Sequence, residues 1–152
     1  MIKITQIETL KDLDKVMPLF LEGYHAMNKR YRAFDCDVAG FIKTLVGILG
    51  SQPDNGILVA YSDDVPVGYG AAMEDTPPYC DKRQLLLWAL YAQPAYSKLV
   101  SKALFDEAAV MAKRQGYSSL SCFNGRLTGS SFSFFERVLG MRRRRMEFQK
   151  IL

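Results

Sequence analysis

Residues 85–92 read Leu-Leu-Leu-Trp-Ala-Leu-Tyr-Ala, an apolar run with no polar interruption. Its length is that of a strand, and its lack of alternation fits a strand covered on both faces. A sheet of that kind carries helices on both sides. Pro94 ends the run, since proline has no N–H to give to a ladder. The period then changes. Val100, Ala103, Leu104, Ala108, Met111 and Ala112 recur at helical spacing and predict a helix over 97–115, stopped by Gly116. Another strand is expected over 118–123. Strand, helix and strand in this order predict two parallel neighbours joined by a right-handed crossover. The chain therefore reads as an α/β domain.

The N-terminal half adds helices and a hairpin. Ile2, Ile4 and Ile7 suggest a short first strand. Thr9 and Asp12 form a capping pair ahead of a helix whose apolar stripe is Leu13, Val16, Met17, Phe20, Leu21 and Tyr24. Pro18 is expected to kink or split that helix. Asp35 or Asp37 caps a second helix bearing Val38, Phe41, Ile42, Leu45 and Ile48, with Gly50 at its end. After a turn cluster at 51–56, strands over 57–61 and 65–73 flank a turn at Ser62-Asp63-Asp64. Pro66 belongs at a strand start or edge, and Gly68 and Gly70 leave room for another backbone or a ligand. Residues 75–83, with Pro77-Pro78, form a loop. Thr128 or Ser130 caps a short aromatic helix through Leu139, Gly140 ends it, and 141–152 reads as a last strand. One domain over 1–152 follows, with the order β-α-α-β-β-β-α-β-α-β.

Composition narrows the function classes. With 152 residues and 49% hydrophobic content, the chain can bury a core without disulfides or metal. Cys36, Cys80 and Cys122 are odd in number and widely spaced, and His25 is the single histidine. A zinc site, which needs three or four such ligands, is not expected. Reduced thiols point to a cytoplasmic setting. No signal peptide is read at the start, and no apolar run approaches the roughly 20 residues of a membrane helix. Of the net charge of +4, Arg142, Arg143, Arg144 and Arg145 supply four charges together. A general nucleic-acid footprint is therefore weak, although those arginines could bind phosphate, an acidic protein surface or nucleic acid. They could equally be the solvated charges of an edge strand.

Three segments resemble the GNAT superfamily of N-acetyltransferases. The hairpin around Leu58-Val59-Ala60-Tyr61 and Val65-Pro66-Val67-Gly68-Tyr69 is similar to the family's second and third strands. Leu90-Tyr91-Ala92-Gln93-Pro94-Ala95-Tyr96 resembles the end of its fourth strand, which leads to the acyl-CoA loop. Asn124, followed by Phe134-Phe135-Glu136-Arg137-Val138-Leu139-Gly140-Met141, is similar to the family's "Asn…Phe-Tyr-Glu-Lys-Leu-Gly-Phe" motif. The resemblance implies a mixed, twisted sheet of about six strands, helices on both faces, and splayed central parallel strands. It also implies acetyl-CoA, with pantetheine along Leu90, Tyr91 and Ala92, and with pyrophosphate near Ser97, Lys98, Leu99, Val100, Ser101 and Lys102. Asn124 would hydrogen-bond the cofactor or a bulged backbone, unless it is simply a turn residue before Gly125.

Two departures from the family stand out. The acyl-CoA loop lacks the family's glycines, which normally let a phosphate approach the backbone. Lys98 and Lys102 instead sit in the first helical turn, where positive charge opposes the helix dipole. Either they neutralise a bound anion or they are solvated. At the place where many members carry a tyrosine general acid, this chain has Phe135, with Glu136 as the other alignment. Glutamate could act as the acid only if burial raised its pKa; Phe132, Phe135 and Leu139 also fit a core stripe. Glu74 and Asp75, expected near the splay, are candidates to remove the ammonium proton. Tyr79, Cys80 and Asp81 could line the acceptor side. The implied activity is direct acetyl transfer from acetyl-CoA to a primary amine. The alternative is an inactive GNAT-fold protein with a binding or structural role, as in degenerate phage-encoded domains, whose partner would be another protein.

Overall fold

The computed structural model describes residues 1–31, 37–122 and 134–141. Five strands form one sheet in the order β1(Ile2–Gln6), β2(Gly56–Ser62), β3(Val65–Glu74), β4(Gln84–Ala92), β5(Ser119–Cys122). The first four pair antiparallel, and β4 pairs parallel with β5 from Gln84↔Ser119 to Leu87↔Cys122. The expected parallel neighbours are thus adjacent. The expected last strand, including Arg142, Arg143, Arg144 and Arg145, lies outside the described residues, as do Asn124 and Phe132.

Helices cover both faces. On one, α1(Leu10–Tyr31) and α2(Val38–Gly50) enclose Leu13, Phe20, Phe41 and Leu45 against Val59, Tyr69 and Ala71. On the other, α3(Ser97–Arg114) packs Val100, Leu104, Ala108 and Met111 against Leu58, Ala60, Leu85 and Leu87. Alternation along β2 feeds both cores, with Ile57 and Val59 on one side and Leu58 and Ala60 on the other.

Local signals explain the helix ends. The Thr9 hydroxyl accepts the Asp12 N–H at 3.1 Å and donates to the Asp12 carboxylate at 2.7 Å, starting α1. Of the two aspartates considered for α2, Asp37 is its N-cap and accepts the Gly40 N–H at 2.8 Å. Gly116 follows α3 at φ +81°, a conformation that favours glycine. Pro18 does not split α1, which runs through it. Pro18 and Asp14 are both exposed, so the carbonyl that loses its partner can meet water, while Val16, Leu19 and Phe20 anchor the helix on either side. The hairpin tip is narrower than expected: Asp63 and Asp64 alone turn the chain, both at positive φ (48° and 64°), as a two-residue type I′ turn requires.

One irregularity shapes β4. Ala71 pairs with Ala89, but Ala72 pairs with Leu87, so Trp88 is an extra residue. Leu85 and Leu87 face α3, Trp88 and Ala89 both face α1 and α2, and beyond the bulge Leu90 and Ala92 face α3 while Tyr91 faces α1. The bulge inverts the alternation of the strand.

Candidate active site at the end of the fourth strand

The first half of β4 is closed. Leu85, Leu86 and Leu87 are buried, between β3 on one side and β5 on the other. The second half is more open. Leu90, Tyr91 and Ala92 are half-buried, pair with Gly70, Tyr69 and Gly68 of β3, and run beyond the described β5 pairing. Gly68 has no room for a side chain: a Cβ would lie 2.5 Å from the Val100 Cγ1 and 2.8 Å from the Tyr91 carbonyl oxygen. What approaches there is α3 and the β4 backbone. This seats the start of α3 hard against the end of β4.

The chain passes from Ala92 through Gln93 into a short 3-10 turn, Pro94–Tyr96, and then into α3. No side chain caps the start of α3, and no acidic residue occupies its first turn. The 3-10 turn uses the Tyr96 and Ser97 N–H groups, on the Gln93 and Pro94 carbonyls, which leaves those of Lys98 and Leu99 and the positive end of the helix dipole without a side-chain cap. Residues from Pro94 to Leu99 line an open depression of about 330 Å³. Ser97, Lys98 and Leu99 are exposed, and Leu99 is an unusually exposed large apolar residue at 64%. Lys98 makes no ion pair among the described residues, whereas Lys102 pairs with Asp106 one turn along. Val100 is fully buried, so only its backbone could meet a ligand. Ser101 is half-buried.

Other predicted residues sit elsewhere. Glu74 ends β3, and because the hairpin is antiparallel it pairs with Leu85, at the start of β4. Ala92 lies seven positions further along β4, roughly 20 Å of strand. The expectation that Glu74 lies near the open end is corrected by this topology. Its carboxylate also has other work: Arg83 donates to it at 3.1 Å and Thr76 at 3.0 Å. The Arg83 hydrogen bond, then that of Thr76, holds the Glu74 pKa below its ordinary value, which makes a weak base. Arg83 additionally reaches Asp54 and the Gln115 carbonyl and lies 4.2 Å over the Tyr117 ring. Phe135 and Glu136 belong to a π-helical turn, Phe134–Val138. Glu136 is exposed, so the burial that an acid role demands is missing. Leu139 and Met141, just beyond, pack on the same core as Leu90, Ala92 and Tyr96.

A cluster on the α1 side of β4 escaped sequence reading. The Tyr91 hydroxyl donates to the Glu22 carboxylate at 2.7 Å, and the Gln93 side-chain amide approaches both its oxygens at 3.3 and 3.4 Å. Burial, followed by the Glu22 hydrogen bond, raises the Tyr91 pKa well above the usual range for a phenol. Gly23 permits the contact: a Cβ there would sit 2.4 Å from the Tyr69 hydroxyl and 2.8 Å from the Tyr91 ring. The available signal was Gly23 itself, since glycine inside a helix weakens it and needs a packing reason.

No protein-family model matches the sequence, and no curated protein matches it. Solved structures do. An aminoglycoside acetyltransferase from an uncultured soil metagenomic sample, in complex with sisomicin, superposes with a TM-score of 0.73 at 15% identity, over 99% of this chain and 96% of that one. Glucosamine-6-phosphate N-acetyltransferase from Arabidopsis thaliana gives 0.74 at 14% identity, covering 99% and 98%. Ribosomal-protein-alanine N-acetyltransferase from Brucella melitensis biovar Abortus 2308 gives 0.69 at 16%, covering 99% and 100%. No helix among the described residues is long and apolar enough to cross a membrane. Strand order, the parallel β4–β5 pair and likeness along the whole chain agree: this chain has the GNAT acetyltransferase fold.

Proposed function

We propose that the chain is a GNAT-type N-acyltransferase that moves an acetyl group from acetyl-CoA to a primary amine in a ternary complex. One observation carries the reading: the open end of β4 leads through a single 3-10 turn to a helix start that no side chain caps, with Lys98 beside it. An extended arm can add to a strand edge through backbone hydrogen bonds, and a pyrophosphate suits free N–H groups at a helix start. The residues therefore fit the cofactor. Leu90, Tyr91 and Ala92 would hold the pantetheine through their backbone. Lys98 and Leu99 would offer backbone N–H groups to the pyrophosphate, with the Lys98 ammonium adding charge. The Ser97 N–H is already given to the Pro94 carbonyl, and those of Val100 and Ser101 lie far enough into α3 to be spent on its own ladder, so these three would contribute only by lining the site. Lys102 contributes only by leaving Asp106. Asn124 is a further proposed contact.

Bound acetyl-CoA supplies a thioester whose carbonyl carbon an amine attacks directly, with CoA as the leaving thiolate. That thiol has a pKa near that of cysteine, about 8.5, so it leaves tolerably without strong protonation. Phe135, where family members carry tyrosine, is consistent with a slow enzyme of this kind, since loss of a general acid typically costs ~10²–10⁴-fold. Neither Cys80 nor Cys122 is disulfide-bonded, which suits a cytoplasmic setting.

A second reading, a binding or structural protein on the same fold, is favoured by the loop itself. It has no glycine, and one of its two lysines is committed to Asp106. Titration calorimetry with acetyl-CoA separates the two. The enzyme reading expects saturable heat at or below millimolar concentration. No heat and no thermal shift at that concentration would overturn it in favour of a scaffold with a protein partner.

A further inference from the structure

Among the described residues, the Glu22 carboxylate has no cationic partner. Its hydrogen-bond partners there are the neutral Tyr91 hydroxyl and Gln93 amide. The carboxylate is exposed, so its charge is available to solvent. It is also held in place. Two donors from the end of β4 fix its oxygens, and the close approach at Gly23 fixes the helix that bears it. Tyr91 and Gln93 are consecutive with the backbone assigned above to the acyl donor, but the Tyr91 side chain faces α1 rather than α3. An acceptor arriving on the α1 face would meet Glu22 beside the donor's path.

We propose that Glu22, positioned by Tyr91 and Gln93, binds a second, non-reacting ammonium group of the acyl acceptor, so that the acceptor class is a diamine or polyamine. This inference rests on the acyltransferase reading. In this arrangement the bound cation is the non-reacting one. A carboxylate in contact with the attacking nitrogen would stabilise its protonated form, which has no lone pair to attack with. Held on a different nitrogen, the same charge orients the acceptor and leaves the reacting amine free to lose its proton. The nitrogen–carbonyl bond then forms as the carbon–sulfur bond breaks, and the amine's proton passes to solvent or to the departing thiolate.

The test uses the full chain, 1,4-diaminobutane and n-butylamine as probes, and Glu22→Gln, which keeps a carbonyl oxygen for the Tyr91 hydroxyl. Direct titration of 1,4-diaminobutane, monitored by NMR, should show binding weakened about tenfold or more in the variant, the range for a lost charge-assisted contact. In turnover with acetyl-CoA, the ratio of kcat/KM for the diamine to that for butylamine should fall by a similar factor, through KM. Thermal unfolding and the circular dichroism spectrum check that the variant is folded, and Tyr91→Phe, which frees the carboxylate, should give a smaller loss of the same kind. Equal diamine binding by parent and variant, or no preference of the parent for the diamine over butylamine, overturns the proposal. Failure of the acyltransferase reading is distinguishable, since it appears as absent acetyl-CoA binding, while the diamine titration still decides the Glu22 site.

Discussion

The two ends of β4 have the same apolar composition and opposite surroundings. At its start, Leu85, Leu86 and Leu87 are buried between two paired strands, and Arg83 ties the preceding loop to Glu74, Asp54, Gln115 and Tyr117. At its end, Leu90, Tyr91 and Ala92 are half-buried and meet a polar cluster on one side and a helix start on the other. The difference is one of saturation. At the start, Arg83 is shared among Glu74, Asp54 and the Gln115 carbonyl, whereas the end keeps Lys98 and the Glu22 carboxylate turned outward. A strand closed at one end is a support on which an open end can be held still.

The strongest way to break this comparison is to truncate both ends. Leu87→Ala should destabilise the fold by about 3 kcal/mol, since it empties a fully packed site. Leu90→Ala should cost less than about 1.5 kcal/mol, because part of that side chain is already in water. Urea denaturation of the two variants gives both values, and similar losses would erase the distinction. Binding sharpens it next. Replacing Lys98 and Lys102 together by Ala should weaken acetyl-CoA binding by roughly 1–3 kcal/mol in calorimetry. Most of that loss should appear in the Lys98 single variant, because Lys102 has Asp106.

At the closed end, Arg83→Gln should lower the thermal midpoint by a few degrees and change its acid dependence. Glu74 has a folded pKa below its ordinary 4.5, chiefly through the Arg83 hydrogen bond. Its contribution is therefore present above that value and is lost as pH falls through the depressed folded value. The variant should lose less midpoint than the parent between pH 5 and about pH 2, while acetyl-CoA affinity at neutral pH stays the same. Smallest are the effects on the π-helical turn. If acetyl-CoA binds, Phe135→Tyr should raise turnover severalfold with the fold intact. Glu136→Gln should change little, since Glu136 is exposed. A large loss of activity in Glu136→Gln at unchanged stability would make Glu136 the acid.

Much of the fold was legible because its signals are local. Asp37 and the stripe of Phe41, Leu45 and Ile48 define α2 within a few residues of chain, and the period change at Pro94 marks the β4–α3 junction. The parallel β4–β5 pair followed from the strand–helix–strand order. What stayed hidden depends on distant partners. Glu22 and Tyr91 are 69 positions apart, and nothing near either residue announces the other. The bulge at Trp88 lies inside a uniformly apolar run, where neither glycine nor a polar residue marks the change of face. Glu74 was misplaced for a different reason. It stands at the end of β3, but an antiparallel hairpin brings that end to the beginning of β4, away from the open end. Phe105, on the buried side of α3, was missed because its neighbour Leu104 already filled the stripe.

The extra residue at Trp88 also bears on how this chain can change over time. Because the bulge reverses which face each later position occupies, deleting one residue there would do more than shorten the strand. Leu90, Tyr91 and Ala92 would all turn over together. The Tyr91 ring would leave Glu22 and press into α3, where Val100 and Gly68 have no space for it, while Leu90 would be pushed toward the polar side. Exchanges of one apolar residue for another in the same stretch leave the frame untouched. Variation in β4 should therefore accumulate as substitutions at constant length, with insertions and deletions confined to the 75–83 loop and the hairpin tip at Asp63 and Asp64.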